Sequence, residues 1–581
     1  MTIATKFLAL PNAASSWALC WIRLNLMPSF RALRATPSPR SPSAFLPSVS
    51  GERGVVLRRG YLLNKYPNGI ASGGCSTYSS AFAGAARTNH DEFQLVLESS
   101  HRSILESQKE VCPVMKNPFS LTRRDFVRLG AGTMAAGLAG KKVTILDPSL
   151  LRASPWPAPT QVVRFGIIGT GTEGCDLLRA SRRVPGIECV AAADLYDTRH
   201  QSAKEVLKKD IDTTREYRRL LDRKDIDAVI VATPDHWHRR LVVEAAQAGK
   251  DAYCEKPMSH TLEDGFAMVE AVQTNKRILQ VGSQRVSSIL YAKAKEIWDS
   301  GRLGEVDTIE AVWDRNTDSG AWVYPIPPDA NEQTIDWNTW LGDASKRPFD
   351  GRRFVSWRCY KDYGAGLPGD LFVHLISGIH YITDTNAPAI RAFSTGGIYC
   401  YKDGREFGDL QWTIYDYPKF QVVLRCNQNN KYEDQLFTFY GKKGTMFIRG
   451  EGAPAALGAG ASLAFRAEPE FHTREDYSIG AWPEKQREEY IAEWNREHPR
   501  PGPGSDKVES GEEIYTTPSG YSDMVDHLAN FFQAVRTRKP VVENEVFGNY
   551  AALTGCHMSN YSYFNKTVAV WNAASKTIKS A

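Results

Sequence analysis

The sequence predicts an α/β protein: an N-terminal doubly wound parallel sheet, followed by a second α/β domain with a largely antiparallel open sheet. Three observations lead there. A short β-branched run, Gln161-Val-Val-Arg-Phe-Gly-Ile-Ile168, opens into a glycine-rich turn and a helix-spaced stretch; apolar strands and amphipathic helices then alternate to Val281; beyond residue 305 several runs alternate apolar with polar residues. At 581 residues and 42% hydrophobic the chain can fill two or three cores. Its 71 basic and 66 acidic residues leave a net charge of only +5, which argues against nucleic acid as a partner.

The first domain is expected over residues 161–284. Its opening strand runs into Gly169-Thr170-Gly171-Thr172-Glu173-Gly174, and Cys175 to Ala180 takes helical spacing. This is the G-x-G-x-x-G pattern between strand and helix that marks a Rossmann dinucleotide site: one glycine for the tight turn, one for backbone approach to the pyrophosphate, one for helix–strand packing, with the helix N-terminus offering N–H groups to the phosphates. A second strand, Cys189 to Ala193, ends in Asp194, twenty residues past Gly174, where a carboxylate accepts hydrogen bonds from the adenine ribose. Asp194 favours NAD by repelling a 2′-phosphate, while nearby Arg199 leaves NADP open. Further strands are expected at 227–233, 251–254 and 278–281, with helices through 241–248 and 262–276. Ligands of such sheets sit beyond the strand C-termini. Thr233-Pro234-Asp235-His236-Trp237-His238 and Glu255-Lys256-Pro257 occupy two of these ends, so Thr233, Pro234, His238, Glu255 and Lys256 are expected against the cofactor.

Lys256 follows a buried-type strand, which would hold its ammonium at the cofactor edge to orient a substrate hydroxyl. A cis bond to Pro257 is possible there. A second cluster, Gly364-Ala-Gly-Leu-Pro-Gly-Asp370-Leu-Phe-Val-His374-Leu-Ile-Ser377, takes helical spacing after a Gly/Pro turn, placing Phe372, Ile376 and Ile379 on one face and Asp370, His374 and Ser377 on another. A carboxylate orienting an imidazole one turn away is a general acid/base unit near neutral pH; the same residues also suit helix capping and core packing. No metal site is expected, because the other local ligand, His380, falls on a different face.

Together, Gly169 to Gly174, Glu255-Lys256-Pro257 and Gly364-Ala-Gly366…Asp370-Leu-Phe-Val-His374 resemble the Gfo/Idh/MocA family, which includes glucose–fructose oxidoreductase and inositol dehydrogenases; the resemblance spans about residues 161 to 575. It implies that Lys256, Asp370 and His374 act on a sugar hydroxyl. It also implies that the antiparallel sheet is buried in a homo-oligomer. Asp336 to Pro348 and Trp357-Arg358 are similar to exported, sugar-directed members, whereas Phe372 and Ser377 depart from the glycine and carboxylate that members often carry, which alters pocket shape and hydroxyl contacts.

The second domain is expected over 285–575, with alternating runs at 306–313, 411–415 and 420–425, a Gly/Pro-rich surface insertion at 451–518, and amphipathic helices from Ser522 to before Pro540 and around Tyr550 to Tyr563. Trp322, Trp337, Trp340 and Trp357 are candidates for stacking on sugars or for ordinary packing. The ten cysteines lack C-x-x-C or metal spacing and read as small core residues. Residues 1–114 are rich in Ser, Pro, Arg and Ala without periodicity and are expected to be disordered or not part of the natural product, translation starting at Met115. Thr122-Arg-Arg-Asp-Phe-Val-Arg128 resembles a twin-arginine export signal. The apolar stretch after it, about a dozen residues, is too short for a bilayer that needs ~20, and 141–160 would tether signal to enzyme.

The expected function is therefore an exported, periplasmic, NAD- or NADP-dependent oxidoreductase of a carbohydrate hydroxyl. The twin-arginine machinery would carry it out folded, with tightly held, recycled cofactor. The alternative is an NAD-dependent glycoside hydrolase that uses the same redox step transiently.

Overall fold

The computed structural model describes residues 142–151, 161–317, 320–450, 461–468, 477–498 and 511–581. The expectations for residues 1–114 and for the export signal lie outside these.

Strand β1 (Lys142–Ile145) belongs to the second of two sheets. The first is built from β2 (Val163–Ile168), β3 (Ile187–Ala193), β4 (Asp212–Thr214), β5 (Ala228–Val231), β6 (Asp251–Cys254) and β7 (Leu279–Val281), all parallel in the order β4-β3-β2-β5-β6-β7. The order reverses at β2, so the crevice between the C-terminal ends of β2 and β5 is where a doubly wound sheet binds its ligand. Helices cover both faces, which is why β5 reads Ala-Val-Ile-Val with every residue buried. The crossovers include α1 (Thr172–Ser181), α2 (Asp197–Leu207), α3 (Asp235–Gln247) and α4 (Leu262–Thr274). Helix α3 starts directly after Pro234, earlier than the apolar spacing suggests, because a polar first turn, Asp-His-Trp-His, precedes its buried stripe.

The second sheet has eleven strands in the order β1-β15-β14-β13-β12-β8-β11-β10-β9-β16-β17. Its centre is β8 (Val306–Asn316), β9 (Arg391–Gly397), β10 (Leu410–Asp416), β11 (Gln421–Asn427), β12 (Asn429–Gly441) and β13 (Gly444–Arg449); its edges are β14 (Ser462–Ala467), β15 (Glu513–Thr516), β16 (Ala569–Asn572) and β17 (Thr577–Ser580). All pairs are antiparallel except β1–β15 and β8–β11. One face is covered by α5 (Ile289–Asp299) and α6 (Val373–Thr383), whose Leu290, Ile297, Leu375 and Ile379 share a core with Phe437, Phe439 and Ile448 of the strands.

Three boundaries differ from expectation. Residues 142–145 pair with 513–516, so the described part of the supposed tether begins as an edge strand and continues into a helical turn at Pro148–Leu151. The span 451–518 supplies two sheet strands rather than only a surface insertion: β14 buries Leu463 and Phe465, an alternation hidden in sequence by the Gly, Ala and Pro around it. Finally α7 (Asp523–Thr537) packs Leu528, Phe531 and Phe532 against Phe165, Ile167 and Leu177. The first domain is thus closed by a helix from the far end of the chain. Of the seven described cysteines six are buried, and none is paired.

The seam between the sheets holds a buried acid. The Glu543 carbonyl accepts from Val281 N at 3.0 Å, and its Oε1 accepts from Ser283 Oγ at 3.1 Å and Ser377 Oγ at 3.4 Å. Burial pushes this carboxyl up to about 8 from an ordinary 4.5. The folded protein keeps the proton until about pH 8 while the unfolded chain releases it near pH 4.5, so stability from this group is complete below the lower value and lost as pH rises through the upper one, by at most about 1.4 kcal/mol per unit. Glu543→Gln, neutral throughout, is expected to flatten the fall in Tm between pH 5 and 8; parallel curves for the two proteins would show that the folded carboxyl is already ionised.

Candidate active site

The glycine-rich turn is shaped by backbone. Gly169 has φ +92°, and a Cβ there would lie 2.5 Å from Ala232 O; a Cβ at Gly174 would strike Gly169 O. Gly171 caps α1 in extended conformation without a side-chain cap, so the first N–H groups of the helix lack a side-chain acceptor, and Gly171, Thr172 and Glu173 line a cleft of about 1080 Å³. An uncapped helix start behind glycines that admit no side chain fits a dinucleotide pyrophosphate. The cleft exceeds the ~300–1,000 Å³ of a single small-ligand pocket, which leaves room for a substrate beside the cofactor.

Asp194 stands at the end of β3. Its Oδ2 accepts from Thr170 N at 2.7 Å and Thr170 Oγ1 at 3.3 Å, its Oδ1 accepts from Tyr196 N at 3.0 Å, and Arg199 Nη1 lies 3.7 Å away. The carboxylate therefore also fixes the turn. With Gly169, Arg199 and Trp237 it lines a second, narrower pocket, which shares Thr233 and Pro234 with the main cleft. His238 does not line either. It is fully buried, with ring nitrogens 2.9 Å from Pro257 O and from Thr233 O, and burial lowers its pKa to about 4. It braces the cis Lys256-Pro257 turn rather than touching a cofactor, because α3 begins early enough to rotate it inward.

Glu255 is buried beneath the cleft. Gln284 Nε2 donates to Glu255 Oε1 at 2.9 Å and to Glu173 Oε1 at 3.3 Å, and Tyr253 OH donates to Glu255 Oε1 at 3.3 Å. Burial raises both carboxyls, and for Glu255 the adjacent Glu173 adds to the rise.

The catalytic candidates meet across the domains. Lys256 Nζ donates to Asp370 O at 2.8 Å and to its Oδ1 at 2.9 Å, Arg358 Nε donates to the same Oδ1 at 3.0 Å, and Trp322 Nε1 donates to Oδ2 at 2.8 Å. Burial alone would raise the Asp370 carboxyl, but Lys256, then Arg358 and Arg315, hold it well below the usual carboxylate range. Among the described residues Asp370 makes no hydrogen bond to His374, contrary to the expected carboxylate–imidazole unit. It sits in a π-helical turn, Pro368–Phe372, wider than the α-helical turn assumed from spacing, and its carboxylate meets Lys256 instead. His374 is oriented by stacking on Trp313, centroids 4.9 Å apart at 33°, and its buried Nδ1 lacks a partner among the described residues. Burial, Lys256 and Arg285 drive its pKa well below the ordinary imidazole value against the opposing pull of Asp370. His374 is therefore neutral at working pH.

Ser377 turns to the seam with Glu543 instead of the cleft. Trp340 and Trp357 line the cleft, while Trp337 stacks behind Trp340 at 4.8 Å. Sequence reasoning missed Gln284, Arg285, Trp313 and Arg315 as site residues. The last two lie two apart on β8, so a strand's period of two was the available signal.

Residues 163–283 match the family model described as the Gfo/Idh/MocA oxidoreductase family, NAD-binding Rossmann fold, and 291–447 match the GFO/IDH/MocA C-terminal domain. The two domains are thus each similar to a domain model of that family. An inositol 2-dehydrogenase from Salmonella paratyphi B is 34% identical over 145 residues, 25% of this chain and 43% of the relative, so the chain matches less than half the length of that relative. In fold, the chain is similar to a putative NADPH-dependent oxidoreductase from Desulfitobacterium hafniense (TM-score 0.50, 16% identity, 71% of this chain and 98% of that one). It is also similar to the aldose-aldose oxidoreductase from Caulobacter crescentus, complexed with glycerol (TM-score 0.50, 16% identity, 71% and 100%).

Removing the charge of Asp370 strands two half-buried cations. Asp370→Asn is expected to cost roughly 3–5 kcal/mol in urea unfolding of the cofactor-free protein; a loss under about 1 kcal/mol would mean that Lys256 and Arg358 are solvated rather than held by this pair.

Proposed function

We propose that this chain, with its Gfo/Idh/MocA domains, is an exported NAD(P)-dependent oxidoreductase that oxidises a hydroxyl of a sugar or sugar derivative. One observation carries the reading: an uncapped helix start behind a glycine-rich turn opens into the same cleft as Lys256, Asp370 and His374. Similarity over 145 residues to an inositol 2-dehydrogenase supports a polyhydroxylated ring as substrate.

A nicotinamide dinucleotide bound along the first domain supplies the hydride acceptor. The chain's own residues do the rest. Asp370 anchors the Lys256 ammonium, which keeps a donor for the substrate hydroxyl oxygen. Neutral His374 accepts the hydroxyl proton, which an imidazolium could not do. Trp340 and Trp357 offer ring faces to the C–H side of a sugar. Asp194 favours NAD, and Arg199 beside it keeps a 2′-phosphate admissible. The outer face of the second sheet exposes Phe393, Trp412 and Ile414 and suits a homo-oligomer interface. Export through the twin-arginine pathway to the periplasm rests on residues 122–128, and it favours a cofactor that leaves the cell already bound and is recycled between two sugars.

The test is native mass spectrometry of protein produced from Met115, with cofactor reduction followed on a panel of sugars and glycosides. A retained dinucleotide that becomes reduced on sugar addition supports the proposal; glycoside cleavage with the cofactor always returning to its starting state would replace it with the redox-assisted hydrolase. His374→Asn is expected to keep the dinucleotide and lose roughly 10²–10⁴-fold in turnover; a variant with full activity would remove His374 from the proton step.

A further inference from the structure

The cleft is built with more positive charge than its own carboxylates use. Beside His374, Lys256 and Arg358 share one partner, Asp370, at 2.9 and 3.0 Å, while Arg285 is paired with Asp523 at 2.8 Å. Arg315 is different. It lies two residues beyond Trp313 on β8, so both side chains leave the same face of the strand. Its guanidinium carbon lies 5.6 Å from the Trp313 ring centroid, and it lines the cleft. Among the described residues its side chain has no hydrogen bond and no ion pair.

The position of Arg315 ties it to the substrate end and not to the cofactor. The ring it overlies is the one on which His374 stacks, and its charge reaches both Asp370 and His374. Lys256, Arg358 and Arg315 thus all act on the Asp370 carboxylate, and only Lys256 and Arg358 are paired with it. Nearby Asp235 does little to redress this. It is fully buried, gives an oxygen to Ala365 N at 3.1 Å, and burial pushes its carboxyl up to about 7. A neutral sugar leaves this excess uncompensated, whereas a planar fork of guanidinium donors matches a carboxylate edge to edge.

We infer that the substrate is an acidic sugar, a uronate or aldonate, whose carboxylate is bound by Arg315. This rests on the oxidoreductase reading above and narrows it. The carboxylate sits against Arg315 beside Trp313, and the hydroxyl to be oxidised lies between Lys256 and His374.

Calorimetry on the cofactor-loaded protein with glucose and glucuronate, galactose and galacturonate, and glucose 6-phosphate tests the inference, with cofactor reduction recorded in the same samples. At least one uronate is expected to bind roughly tenfold or more tightly than its neutral aldose, the worth of one or two charge-assisted hydrogen bonds. Arg315→Met is expected to bring that ratio close to one, and Arg315→Lys, which keeps the charge without the fork, to leave it intermediate. A ratio near one in the unaltered protein, a ratio that survives Arg315→Met, or tightest binding of glucose 6-phosphate overturns the inference. Cofactor reduction without a uronate preference leaves the oxidoreductase reading standing and removes only the acidic substrate; a uronate preference without any cofactor reduction does the reverse.

Discussion

The ion pair between Lys256 and Asp370 joins the two halves of the fold. Lys256 leaves the C-terminal end of a parallel strand in the cofactor domain, and Asp370 enters from the turn before α6 in the other domain. Two charges this deeply placed repay their desolvation only if every remaining donor and acceptor is met. Asp370 satisfies that condition: Lys256 Nζ is held by both its carbonyl and carboxylate, and Trp322 and Arg358 take the remaining carboxylate positions. The pair fixes the distance across the cleft, and through it the separation between the edge of the cofactor domain and His374.

That arrangement also sets the protonation state of the site. An imidazole among Lys256, Arg285 and Arg315 stays neutral even beside an ionised aspartate. If Asp370 bonded His374 directly, as a carboxylate–imidazole dyad does, it would stabilise imidazolium and hold the resting site in the wrong form for taking a proton from a hydroxyl. Stacking on Trp313 orients the ring without adding a charge to it. The same cations that hold the imidazole neutral leave the cleft with a surplus of positive charge.

The parallel sheet was legible because it is buried on both faces, so β2, β3, β5 and β6 print as apolar runs between helices with a period of 3.6. Strand β4, Asp-Thr-Thr, lies at the sheet edge with no buried residue and carries no such mark. Lys256, Asp370 and His374 were readable from residue type beside strand ends and a Gly/Pro turn, and the structure brings all three to one cleft. Their pairing was not readable, because helical spacing assumes 3.6 residues per turn and the chain takes a π turn at 368–372. His238 faces the core for a related reason: α3 already begins at Asp235, ahead of the apolar stripe from Leu241 that marked it in the sequence. Contacts made over long sequence separations, such as Gln284 with Glu173 and Glu255, have no local signature at all.

The return of α7 to the first domain gives the two-domain layout a mechanical consequence. Phe531 and Phe532 fill the layer beneath β2, the strand that runs directly into the glycine turn, so that turn is packed from behind by residues that follow the whole second sheet in sequence. The segment after α7 then crosses the seam, where Glu543 meets Ser283 and Ser377 and its carbonyl continues the hydrogen bonding of β7. The cofactor domain is therefore not a separable module with a substrate domain appended. Its core is completed only when the far end of the chain has been placed, and a cleft shared in this way cannot open by rigid rotation of one domain without disturbing the packing of α7 or the buried acid at the seam. Access to the cleft must then come from its rim, where 517–525 and the loop around Tyr324 line the mouth, while Lys256, Asp370 and His374 stay fixed relative to one another.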